Sequence, residues 1–125
     1  MIALDASAVL ALLFREPGHE RVASALQDAC ISVVNLSEVL GRFARDGHSS
    51  LQVLSRLQAT GIDFCDFDVS QAALASDLLP KTRHLGLSLG DRCCLALAAS
   101  RGCPALTADA AWSDLSLGID IVQIR

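Results

Sequence analysis

The chain has 125 residues and 13.2 kDa, which sets one domain, spanning residues 1–125, long enough to bury roughly two-thirds of the surface its unfolded form exposes. Its hydrophobic fraction of 52% is high, but charged residues or glycine interrupt every apolar run before the ~18 residues a membrane span requires, which excludes a transmembrane helix. Ten basic and fourteen acidic residues leave a net charge of −4, which argues against a nucleic-acid binder working through positive charge alone; two divalent cations bound to acidic residues would cancel it and make the charge argument neutral.

Met1 to Leu4 is a short apolar run that reaches a carboxylate, Asp5, and Ala6 to Phe14 reads as a helix rich in Ala and Leu. Asp5 is therefore expected at a strand's carboxyl end. It also sits inside the first apolar stretch with no basic region before it, which argues against a signal peptide and for a cytoplasmic protein. Glu16-Pro17-Gly18 breaks the pattern before a second helix from His19 to Gln27, so the two helices form a hairpin. Cys30 to Val34 reads as a second buried strand, and Asn35 is expected to open a helix ending at Asp46-Gly47. Ser49 should cap another helix, with Leu51, Leu54 and Leu57 inward, before a third strand from Ile62 to Phe67. Asp68 to Gln71 has the form of a capping box for a helix to about Leu79.

Pro80 to Gly86, holding Lys81, Arg83 and His84, is the one compact basic stretch and reads as a loop. Ser88 then opens a helix running to Ser100 that is apolar almost all round and hence buried, and Gly102 stops it. Pro104 to Thr107 is a fourth strand, Trp112 belongs to a short helical turn and the core, and Ile119 to Ile124 alternates as a fifth strand. The expected architecture is a three-layer α/β/α domain with a mostly parallel sheet of about five strands. Five cysteines without a Cys-x-x-Cys spacing, and three scattered histidines, suggest buried thiols rather than disulfides or zinc.

Asp5, Glu38, Asp91 and Asp109 all fall at or just beyond strand-to-helix switches, the edge where open parallel sheets bind ligands. Each also has an ordinary explanation. Asp5 and Asp109 suit helix N-caps, Glu38 follows Asn35 and Asp91 follows Ser88 at capping-box spacing, and Glu38 precedes Arg42 at ion-pair spacing. What favours a shared site is their common edge and apolar flanks, since isolated carboxylates are costly to bury. An all-oxygen cluster suits Mg2+ or Mn2+, and one or two such ions, about 3.5–4 Å apart if paired, can acidify a water and stabilise the leaving oxygen of a phosphodiester. Ser7 and Thr107, each two residues from an acid, have hydroxyls that could orient carboxylates or hold waters. Lys81, Arg83 and Arg92, with His84 and Arg42, are candidates for phosphate contacts, while Asp114 suits a turn cap or a solvated position.

Leu4-Asp5-Ala6-Ser7-Ala8, Asn35-Leu36-Ser37-Glu38-Val39, Leu87-Ser88-Leu89-Gly90-Asp91-Arg92 and Leu106-Thr107-Ala108-Asp109-Ala110-Ala111-Trp112 resemble, in order and spacing, the four motif blocks of PIN-domain ribonucleases. The resemblance covers essentially the whole chain and is strongest to VapC-type toxins of bacterial toxin–antitoxin pairs. It implies that Asp5, Glu38, Asp91 and Asp109 form an acidic quartet for metal-dependent RNA cleavage, with Asp5, Asp91 and Asp109 as ligands of Mg2+ or Mn2+. It further implies a homodimer, to which the mean hydropathy of +0.44 also points, and a cognate antitoxin whose tail occupies the groove.

Two other classes fit less well. A phospho-receiver signalling module would use an acidic pair after the first strand and a lysine after the last, but Asp5 lies between Leu4 and Ala6 and the only lysine is Lys81. A haloacid-dehalogenase-like phosphatase would carry an acid where Ser7 stands. A non-enzymatic α/β binding domain is the reading that applies if the four acids do not meet.

Overall fold

The computed structural model describes all residues 1–125. Five short strands, β1 (Ile2–Leu4), β2 (Ala29–Ser32), β3 (Asp63–Cys65), β4 (Ala105–Thr107) and β5 (Ile121–Gln123), form one sheet in the order β3-β2-β1-β4-β5. Every pairing is parallel, so the sheet is wholly and not merely mostly parallel. The strand order turns back between β1 and β4, whose carboxyl ends thereby flank a crevice.

The central strands β2, β1 and β4 are buried on both sides, the edge strands β3 and β5 only in part, and the alternation splits the core in two. Leu4, Ile31 and Leu106 face the layer of α1 (Ala6–Phe14), α2 (His19–Ala25), α3 (Val33–Arg45) and α4 (Ser50–Gln58). Ala3, Cys30 and Ala105 face α7 (Leu89–Arg101), with Leu95, Leu97 and Trp112 filling that side. Against α7 packs α5 (Val69–Asp77), followed by the single-turn α6 (Leu79–Thr82). Cys93, Cys94, Ala96 and Ala98 are fully buried small residues of α7, and Gly102 ends the helix in the left-handed conformation at φ 61°. All five cysteines are free, and burial pushes the Cys30 thiol up to about 12, out of the reactive range.

Several element ends differ from the sequence-based expectation. The helix expected from Asn35 starts at Val33, because the Ser32 hydroxyl accepts the Val34 N–H and caps it; Asn35 then lies inside the helix and caps nothing. Residues 80–86 are not a loop: Pro80, tolerated in a first helical turn, is the second residue of α6, and a 3-10 turn covers Arg83–Leu85. In α4 the inward residues are Val53 and Leu57, with Leu51 74% exposed. Asp68 does cap α5 through the Gln71 N–H, but the Gln71 Oε1 has no partner, so the reciprocal half of the expected box is missing.

Candidate active site

Asp5 lies at the sheet's turning point, where its N–H continues the β1–β4 ladder to the Leu106 carbonyl at 2.9 Å. It begins α1 with extended backbone, yet its carboxylate makes no cap bond and is only 3% exposed. Instead Ser7 Oγ donates to Asp5 Oδ2 at 2.6 Å and Thr107 Oγ1 donates to the same oxygen at 3.0 Å. Each hydroxyl also accepts a backbone N–H from the segment after β4, Ser7 from Ala108 at 2.9 Å and Thr107 from Asp109 at 3.0 Å. Oδ2 is thus doubly held, while Oδ1 has no protein donor. Burial pushes the Asp5 pKa up to about 6; the Ser7 and Thr107 hydroxyls oppose the rise, and the negative charges of Asp91 and Glu38 add to it.

Those two acids come from helices that meet beside β1. Glu38, in the second turn of α3, does not pair with Arg42, which instead reaches Asp46 at 3.3 Å and lies over the Phe14 ring. Its Oε1 accepts from Asn35 Nδ2 at 2.8 Å, and the same amide nitrogen donates to the Gly90 carbonyl at 2.9 Å, joining α3 to α7. Asp91 completes a capping box: its Oδ2 accepts the Ser88 N–H at 2.9 Å, and its own N–H reaches Ser88 Oγ at 3.2 Å. Asp109, exposed at the rim, caps the 3-10 turn Ala110–Asp114 by accepting the Ala111 N–H at 3.0 Å. Asp5, Glu38 and Asp91 therefore share an electrostatic neighbourhood, whereas Asp109 is tied to it only by its backbone N–H on Thr107, its carboxylate remaining at the exposed rim.

No three His, Cys, Asp or Glu side chains converge closely enough to enclose one ion. The donor set nevertheless fits a hard cation. Mg2+ keeps several waters and needs only one or two protein carboxylates, and Asp5 offers a buried carboxylate whose Oδ1 has no protein donor and which neighbouring negative charge keeps unfavourable when ionised. Lys81, Arg83 and His84 are exposed, whereas Arg92 turns inward and donates to the Ala75 carbonyl of α5 at 2.9 Å. Asp114 is exposed at the end of its turn. Gly90 and the bridging amide of Asn35 are what sequence reasoning misses; the available signals are a polar residue four positions before buried Val39 and a glycine within the first turn of an apolar helix.

The PIN domain family model matches residues 2–117. No curated protein sequence matches the chain significantly. Among solved structures, a toxin–antitoxin complex from Klebsiella pneumoniae aligns with TM-score 0.78 at 17% identity, over 100% of this chain and 98% of that one. DNA-bound VapBC from Salmonella typhimurium aligns with TM-score 0.73 at 19% identity over the whole of both chains. FitAcB from Neisseria gonorrhoeae gives TM-score 0.70 at 19% identity, over 99% of this chain and 98% of that one. These likenesses establish the fold, and the match over nearly the whole length establishes the kinship: the chain belongs to the PIN domain family.

Proposed function

We propose that this protein is a divalent-metal-dependent endoribonuclease of the VapC type, the toxin of a type II toxin–antitoxin pair. The observation that carries the reading is Asp5, a buried carboxylate unused as a helix cap, set at the turning point of a PIN-family sheet with the charges of Asp91 and Glu38 bearing on it. PIN domains are nucleases.

Asp5 through Oδ1 would hold Mg2+ or Mn2+ directly, with Asp91 and Asp109 serving it through the ion's waters, and such an ion, when bound, supplies charge to the phosphodiester and acidifies water. Ser7 and Thr107 fix Asp5 Oδ2 and so orient its other oxygen. Glu38, with Oε1 held by Asn35 and Oε2 without a protein donor, is the acid best suited to accept the proton of an attacking water. Lys81 and Arg83, exposed beside the entrance to α7, are the proposed phosphate contacts; Arg92 is committed to Ala75.

The similar structures include toxin–antitoxin complexes, which supports a cognate antitoxin as partner here, and a homodimer is proposed with it. No helix is long and apolar enough to cross a membrane, and a cytoplasmic location is proposed. A second reading, a non-enzymatic binding domain, draws on the cap bonds of Asp91 and Asp109. Incubation of pure protein with structured RNA and with DNA of the same sequence separates the two. Cleavage of RNA with Mn2+ or Mg2+ that EDTA stops is the expected result; intact RNA, or cleavage indifferent to the chelator, rejects the nuclease reading.

A further inference from the structure

Glu38 is gripped from two sides by residues that are not themselves acids. On its own helix Asn35 is fully buried, and its Nδ2 serves both Glu38 Oε1 at 2.8 Å and the Gly90 carbonyl at 2.9 Å. Both partners are acceptors, so the amide must present its NH2 there, and Oδ1 is left buried without a donor. An orphaned buried acceptor is unfavourable, and a residue needed only for packing would be better apolar.

From the facing helix comes Gly90, whose backbone is not left-handed and thus does not itself require glycine. Alanine would favour the helix. A Cβ at this position, however, would collide with both carboxylate oxygens and the Cδ of Glu38. Asn35 thus pulls the carboxylate to the start of α7, and Gly90 leaves room for it there.

We propose that Asn35 and Gly90 form a seat for Glu38, positioning its carboxylate beside Asp5 and Asp91; they are positioning residues that act through Glu38. The inference rests on the metal-dependent nuclease reading, but the seat itself can be measured without metal. Thermal melts in EDTA compare wild type, Gly90→Ala, Glu38→Ala and the double variant. Where Glu38 is absent, Gly90→Ala should raise Tm; where Glu38 is present, the same substitution should give no rise or a fall. Equal effects of Gly90→Ala in both backgrounds overturn the seat.

Mn2+ titrations of the same folded proteins, read as the rise in Tm, add the link to the site. Gly90→Ala and Asn35→Leu should each weaken half-saturation by about 10- to 100-fold, because a seated Glu38 would accept a hydrogen bond from the ion's water and the loss of such an outer partner usually costs that much. Asn35→Asp, which keeps the shape but turns an acceptor toward Glu38, should weaken it at least as much. An unchanged Mn2+ response in Gly90→Ala overturns the positioning role. If wild type gives no Mn2+ response at all, the nuclease reading fails, and the EDTA melts alone still decide whether the seat exists.

Discussion

Thr107 Oγ1 donates to Asp5 Oδ2 at 3.0 Å across 102 positions of sequence, tying the end of β4 to the end of β1 at the sheet's turning point. The same hydroxyl accepts the Asp109 N–H, so one side chain links two of the four acids. Thr107→Val keeps shape and removes both bonds. It should cost about 1–3 kcal/mol at neutral pH, as expected when buried polar groups lose their partners. The loss should shrink at pH 4, where Asp5 is protonated and needs the donor less. Urea melts at both pH values check this, and an equal loss at both contradicts the assignment.

Asp5 also sets a pH dependence. Its folded pKa of about 6 lies above its ordinary 3.8, so the protonated form is favoured in the folded state. Stability contributed this way is present below about pH 4 and is lost as pH climbs toward about 6, with a total on the order of 3 kcal/mol. Metal-free protein should therefore weaken over that window. Asp5→Asn removes the charge and retains an oxygen for Ser7 and Thr107, so at neutral pH the metal-free variant should be more stable than wild type and its Asp5-dependent slope should vanish. Melts in EDTA from pH 4 to 8 provide the comparison.

Metal binding should displace the proton that Asp5 carries near its pKa. Titration calorimetry with Mn2+ in two buffers of different ionisation enthalpy is expected to show release of about half a proton at pH 6 and almost none at pH 8. Asp5→Asn should abolish the pH 6 release. Heats that do not depend on the buffer would argue that the ion binds away from Asp5.

Val69, 88% exposed, and Leu89, 57% exposed, are large apolar side chains on the adjacent helices α5 and α7. Covering them favours the proposed homodimer. Light scattering at micromolar concentration should give twice the chain mass, reduced to one chain by Val69→Asp with Leu89→Asp. A monomeric wild type contradicts the dimer.

Much of this was readable from sequence because local signals agreed with the fold. The strand-to-helix switch at Asp5, the Ser88–Asp91 box, the stop at Gly102 and buried Trp112 each follow from nearest neighbours alone. The start of α3 did not, since the β-branched pair Val33-Val34 imitates a strand while the stronger cap, Ser32, lies before it. Pro80 similarly suggests a loop to a reader of composition, although the first turn of a helix has no bond for it to break. The grip on Glu38 was out of reach for a different reason. Gly90 lies 55 positions beyond Asn35, and only the packing of α3 against α7 reveals which side chain occupies the space its missing Cβ leaves. Spacing also suggested a Glu38–Arg42 pair, but Arg42 finds both a carboxylate and an aromatic face elsewhere.

Single-turnover RNA cleavage by wild type and Asp5→Asn, with Mn2+ and with the fold of both verified by melting, tests the central claim most directly. A buried carboxylate around which the metal chemistry is organised predicts a loss of at least about 100-fold in a variant that is as stable as, or more stable than, wild type without metal. Cleavage by folded Asp5→Asn at the wild-type rate would contradict it.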